Sequence, residues 1–189
     1  MMALLVACAA PAAVAQNDDY NKYDIFVGYS HNRVDVGIDD EDPDIDDIFD
    51  EREGFHGFNA SVKGNFHRYV GIKGDYAYHR KGFGVAGFDV NTSLHTLVGG
   101  VEFKDNARET KVKPFAHVMA GLAHSRADFE DIDDEDFTDN GFAGVIGGGV
   151  DFRINDRVDF RAIQFDYNPT HGSGTTSHNF RVGIGLVFR

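Results

Sequence analysis

The chain of 189 residues has the length of a single domain. Its 18 Lys and Arg stand against 31 Asp and Glu, a net charge of −13, which excludes a general nucleic-acid binder, because neutralising phosphates takes clustered basic residues. Seventeen Phe, seven Tyr and 22 Gly, with no Trp and four Pro, favour closely approaching strands and an all-β chain.

The chain begins MMALLVACAAPAAVAQ. Ala3 to Ala10 is a short apolar run, and Ala13-Val14-Ala15 supplies the small-x-small pattern of a secretory leader cut before Gln16. This predicts a signal peptide over 1–15 and a mature domain over 16–189. The run is too short to span a bilayer as a helix. It has no preceding Lys or Arg, the mark of a start that falls inside a longer leader. An alternative reading takes Leu5-Val6-Ala7-Cys8 as a lipoprotein box with Cys8 lipidated. With cleavage after Ala15 the mature chain has no Cys, hence neither disulfide nor thiol chemistry.

Beyond the leader, helical periodicity is hard to find and apolar–polar alternation recurs. It predicts eight strands, at 22–35, 54–66, 69–80, 89–104, 111–127, 141–154, 157–168 and 178–189. The intervening segments 36–53, 81–88, 128–140 and 169–177 read as longer loops, and 67–68, 105–110 and 155–156 as tight turns. Long and short connections alternate, as in an up-and-down barrel of the outer-membrane type, with extracellular loops at one end and periplasmic turns at the other. An even strand count returns both termini to the periplasmic side.

The strand faces agree. On the second strand Phe58, Ala60, Val62 and Phe66 alternate with Asn59, Ser61, Lys63 and Asn65. On the third, Val70, Ile72, Tyr76 and Tyr78 oppose Lys73, Asp75 and His79, and on the sixth Phe142, Ile146, Val150 and Phe152 oppose Asp151 and Arg153. The last strand sets Phe180, Val182, Ile184, Leu186 and Phe188 against Asn179, Arg181, Gly183, Gly185 and Arg189. Apolar faces toward lipid and polar faces toward a narrow lumen fit a membrane barrel, where Lys63, Lys73, Asp75, Asp151, Arg153 and Arg181 can pair. A soluble lipocalin-like periplasmic barrel holding an apolar ligand inside is the inverse arrangement. The seventh strand loses phase within residues 160–167, which predicts a bulge.

The acid is concentrated. Residues 39–53 hold ten carboxylates and one Arg, and 128–139 hold eight carboxylates and no basic residue. In DEDPDIDDIFDE, Asp40, Asp42, Asp44 and Asp46 take positions 1, 3, 5 and 7 of a twelve-residue frame and Glu51 position 12, the spacing of a calcium loop. Ile45 stands where that turn requires Gly. The run therefore reads as a solvated acidic loop with scope for loose Ca²⁺ binding. A lipid-hydrolase alternative rests on Ser93 and His95, which share a strand face with Asp89, without an evident set of oxyanion donors. The nine His lack close metal-ligand spacing and read as interfacial polar groups. Tyr23, Tyr29, Tyr69, Tyr76, Tyr78 and Tyr167 read as interfacial girdles.

The eight-strand pattern, FDYNPT at 165–170 and the closing NFRVGIGLVFR at 179–189 resemble the small eight-stranded outer-membrane β-barrels of the OmpA-like and opacity-protein type, over residues 20–189. The resemblance implies a closed antiparallel barrel in the outer membrane of a didermic bacterium, monomeric, and delivered by an assembly machinery that reads the C-terminal strand. Arg189 after Phe188 departs from the family's terminal Phe. It further implies a non-enzymatic protein without cofactor that works through its extracellular loops, in surface binding, adhesion or envelope stabilisation, with an extracellular partner the sequence does not identify.

Overall fold

A computed structural model describes residues 20–35, 52–85, 88–129, 137–172 and 174–189. The predicted leader at 1–15 and its alternative lipoprotein box lie outside them. Eight strands follow in order: β1 (Tyr23–Asp35), β2 (Arg52–His67), β3 (Val70–Val85), β4 (Phe88–Lys104), β5 (Val112–Phe129), β6 (Phe137–Arg153), β7 (Val158–Gly172) and β8 (Thr175–Phe188). Each pairs antiparallel with its sequence neighbours, and β1 pairs with β8 from Ile25↔Phe188 to Arg33↔Phe180, which closes the barrel. Closure leaves no sheet edge, and that allows strands to cross hydrocarbon, where an unpaired N–H or C=O has no water to turn to.

All eight predicted strands are present, but seven extend past the expected bounds at the end away from the termini. β3 runs on to Val85 and β4 starts at Phe88, so the expected 81–88 loop is mostly ladder; β7 reaches Gly172 and β8 starts at Thr175, which does the same to 169–177. The turn between β7 and β8 uses Gly174 at φ +83°, a left-handed conformation that glycine adopts without strain. The acidic segments shrink likewise, since 52–53, 128–129 and 137–140 are strand. Alternation fades where strands rise out of the bilayer, because no lipid there demands apolar side chains, yet backbone pairing continues. Connection length therefore does not alternate strictly.

The barrel is apolar outside and charged inside. Ile72 and Leu122 are 64% and 66% exposed, while Asp151 and Arg181 are 0% and 1%. On β2 the expected division holds residue by residue, with Asn59, Ser61, Lys63 and Asn65 buried and Phe58, Val62 and Phe66 exposed. The bulge expected in the seventh strand is found: the β7–β8 register shifts between Arg161 and Gln164, so that both of these side chains are buried. Outward Tyr23 and Tyr69 lie toward the end with the termini, and Tyr29, Tyr76, Tyr78 and Tyr167 toward the other. From Tyr69 to Tyr78 the tilted strand climbs about 23 Å, close to the thickness of an outer-membrane apolar band.

The closing seam sets Gly28 directly opposite Gly185. A Cβ on Gly185 would stand 2.4 Å from the Val27 carbonyl oxygen, and one on Gly28 2.3 Å from that of Ile184, whereas one on Gly64 would meet nothing within 4 Å. Gly185→Val should cost on the order of 1–3 kcal/mol by overpacking the seam. The folded, faster-migrating band of unboiled protein on a denaturing gel should weaken accordingly, with Gly64→Ala leaving it unchanged.

Candidate functional site

Alternation carries charge to the lumen from every strand. Six buried acids, Asp24, Asp75, Glu102, Asp151, Asp159 and Asp166, face six buried cations, Lys63, Lys73, Lys104, Lys113, Arg161 and Arg181. Toward the terminal end, Lys63 Nζ lies 2.9 Å from both Asp24 and Glu102, and Lys104 Nζ bridges Asp24 and Asp151 at 2.6 and 3.1 Å. Lys73 adds 3.1 Å to Glu102. The Arg161 guanidinium donates to Asp151 at 2.8 Å and lies over the Phe26 and Phe115 rings at 4.3 and 4.0 Å, a cation held between two aromatic faces. Arg181 joins Asp166 at 2.7 Å to Asp75 at 3.2 Å, and His117 Nε2 lies 2.9 Å from the other Asp166 oxygen. Charges in a low-dielectric interior persist only when paired and hydrogen-bonded, and this network fills the lumen of a barrel whose interior is just wide enough for side chains.

Above the charges the interior changes character. Leu94, Val98, Met119, Ala123, Ala143 and Val145 form an apolar cluster on β4–β6, with Val34 packed against it. Over it opens a cavity of about 320 Å³, lined by the apolar Val34, Leu94 and Ala123 and by the polar Asp139, Thr170, Ser177 and Asn179. The lumen is thus a mouth resting on a salt-bridged floor.

On the outer face three hairpins carry a paired tyrosine and histidine. Tyr29 bonds His56 Nδ1, Tyr76 bonds His95 Nδ1 at 2.8 Å, and Tyr167 bonds His178 Nδ1. On β5–β6 the partner of His124 Nδ1 is Asn140, at 2.8 Å. The polar ends of these rings satisfy one another at the level of the upper girdle, as amphipathic rings do at a membrane interface.

This inside-out barrel agrees with what the sequence matches. A family model described as outer membrane protein beta-barrel domain covers residues 1–188. The chain belongs to the outer-membrane β-barrel family. No curated protein matches it. Among solved structures, Neisserial surface protein A superposes with a TM-score of 0.65 at 11% identity, over 90% of this chain and 99% of that one. Ail, the attachment invasion locus protein of Yersinia pestis, solved with the heparin analogue sucrose octasulfate, gives 0.58 at 20% identity, over 88% and 97%. The N-terminal barrel of Pseudomonas aeruginosa OprF gives 0.50 at 14%, over 89% and 98%. These likenesses show the fold. The family places the protein in the outer membrane.

The outer-membrane barrel's charged interior replaces the apolar cavity that the lipocalin-like alternative requires. Of the lumen charges named from sequence, Lys63, Lys73, Asp75, Asp151 and Arg181 are all in the network. Arg153 instead sits at the rim where β1 begins and β8 ends, bonded to Asp156 and to the Arg108 carbonyl. His117, read as interfacial, is buried in the lumen. Sequence reasoning also missed Asp24, Glu102, Lys104 and Lys113, which strict alternation along their strands would have found. It missed Asp159, Arg161 and Asp166 on β7 as well, where the bulge between Arg161 and Gln164 reverses the phase so that no single alternation puts all three inside. Ser93 and His95 do share a face, the lipid-facing one. Ser93 stands between Arg80 and Arg126 in the ladder, His95 between Tyr78 and His124, and no hydrogen bond joins the two among the described residues; the Asp89 side chain lies outside them. The proposed calcium ligands Asp40, Asp42, Asp44, Asp46 and Glu51 also lie outside them. Among the described residues no group of three metal-ligating side chains comes together.

Between the turns at the end where β1 begins, Asp105 forms a small clasp. It accepts from Arg68 at 2.9 and 3.1 Å, from Thr110 Oγ1 at 2.9 Å and from the Ala107 amide at 3.2 Å. The Arg68 hydrogen bonds, above all, hold its carboxyl down at about 2, so the clasp keeps its charge at any pH the envelope meets. In the lumen, Arg181→Met should destabilise the folded barrel by about 3–5 kcal/mol, because it leaves Asp75 and Asp166 buried without their shared cation. Urea unfolding of the protein in lipid vesicles measures it.

Proposed function

We propose that the protein is a non-enzymatic surface barrel whose extracellular acidic loops bind cationic partners, with the barrel as their anchor. The observation that carries this reading is the division of charge. The floor of the lumen is closed by paired ions that balance one another, while the acidic runs at 39–53 and 128–139 flank strand ends that open on the same, extracellular side. A lumen filled in this way offers no path for general diffusion, which leaves the outer surface as the working surface. Charge gathered into exposed loops steers an oppositely charged partner and speeds its encounter.

Ail was solved with a sulfated anion; loops of the sign found here repel such a ligand, so a partner of opposite charge is the one that fits. Basic segments of a host or neighbouring-cell protein and divalent cations both meet that requirement. For Ca²⁺, the frame from Asp40 to Glu51 supplies carboxylates at the right spacing but puts Ile45 at the glycine position, which favours loose, multi-carboxylate binding over a formed loop. The apolar terminal strand from Phe180 to Phe188 is the segment offered to the assembly machinery.

Titration calorimetry on the full barrel in micelles tests this. A variant with the carboxylates of both runs changed to their amides should lose binding of polylysine and of Ca²⁺, and the parent's binding should weaken as salt rises. Equal binding by parent and amide variant contradicts the reading.

A further inference from the structure

At the periplasmic end the chain assembles a second charged feature, which the loop reading leaves unused. The start of the barrel at Asn21 and Lys22, the turn carrying Arg108, the turn carrying Arg153, Asp156 and Arg157, and the final Arg189 surround a cup of about 510 Å³. Five cationic side chains, Lys22, Arg108, Arg153, Arg157 and Arg189, line it, and Asp156 is the only acidic side chain among the lining residues. Arg153 is committed to Asp156 and to the Arg108 carbonyl. Arg189 Nη2 lies 2.6 Å from Asp159 as an ion pair and donates to the Asn155 carbonyl at 2.9 Å. Lys22 bonds the Tyr20 hydroxyl at 3.2 Å.

Two donors on residues that line the cup are left over. The Arg189 side chain is 2% exposed, and its Nε is buried with no hydrogen-bond partner among the described residues. Asn21 Nδ2 is in the same state. A buried donor without an acceptor costs roughly 1–3 kcal/mol, more when charged, so two in one small, cationic cup ask for an acceptor that the protein does not itself provide. A planar guanidinium with a free Nε–H is suited to an oxyanion, which it meets with directed, charge-assisted hydrogen bonds.

We propose that this cup is a periplasmic binding site for a soluble multivalent oxyanion, a carboxylate or phosphate compound. Arg189 Nε and Asn21 Nδ2 donate to it from the wall, and exposed Arg108 and Arg157 close over it from the rim. The site lies at the opposite end of the barrel from the acidic loops, and it stands or falls independently of what those loops bind.

The test uses the full chain in zwitterionic micelles, with citrate and pyrophosphate as probes in titration calorimetry at constant ionic strength. Saturable binding of one equivalent is expected, and Arg108→Gln and Arg157→Gln should each weaken it about tenfold, the worth of one charge-assisted hydrogen bond. Both side chains are exposed, and retention of the unboiled gel band shows that the variants fold. Arg80→Gln, at the extracellular end, should bind as the parent does. Binding of citrate alone assigns the site to carboxylate compounds and of pyrophosphate alone to phosphate compounds. The proposal is overturned if neither probe binds saturably, if the rim variants bind like the parent, or if Arg80→Gln weakens binding as much as they do.

Discussion

Six carboxylates and six cationic side chains share the interior of this barrel, and the rest of the structure depends on their pairing. An eight-stranded barrel is too narrow to hydrate its lumen freely, so each inward charge needs a partner from across the barrel. Arg181 is the clearest case: from β8 it ties Asp166 of β7 to Asp75 of β3. Such contacts set register and closure together, because a one-residue slip of any strand would send its charges into lipid and its apolar side chains into the network. Buried ion pairs add little net stability over apolar packing, yet removing one member is costly, and that asymmetry enforces a single arrangement.

The same constraint arranges function. On the proposed reading the barrel is a support, its lower lumen occupied by salt bridges and its upper lumen by the Leu94–Val145 cluster, with its two ends left to interact. Those ends differ in sign. The end away from the first and last strand ends carries the acidic segments, and the opposite end gathers Lys22, Arg108, Arg153, Arg157 and Arg189 around a cup. A net charge of −13 conceals this polarity, which appears once the strands assign each segment to an end.

Much of this was legible in the sequence, and the parts that were not have physical causes. Within the bilayer one face must be apolar, so alternation on β2 separated Lys63 from Val62 correctly and located every strand. Outside the bilayer that demand lapses, so the upper parts of β3, β4, β7 and β8 looked like loops although their ladders continue. The β7 bulge shifted Arg161 out of phase and hid the cation that holds Asp151. The clasp at Asp105 and the cup at Arg189 bring together residues from separate turns, and no local pattern announces a meeting made by closure. Ser93 and His95 shared a face as expected, but the alternation of β4 turns that face to lipid.

The central claim is the inverted interior, and a cysteine scan tests it most directly, since cleavage after Ala15 would remove the only native Cys, Cys8. Single cysteines at each position from Phe58 to Phe66 on β2 would carry a fluorophore in phospholipid vesicles containing a lipid-soluble quencher. The account predicts quenching at 58, 60, 62, 64 and 66, with 59, 61, 63 and 65 unquenched or refusing label without unfolding. Quenching at the odd positions, or at odd and even alike, would contradict it.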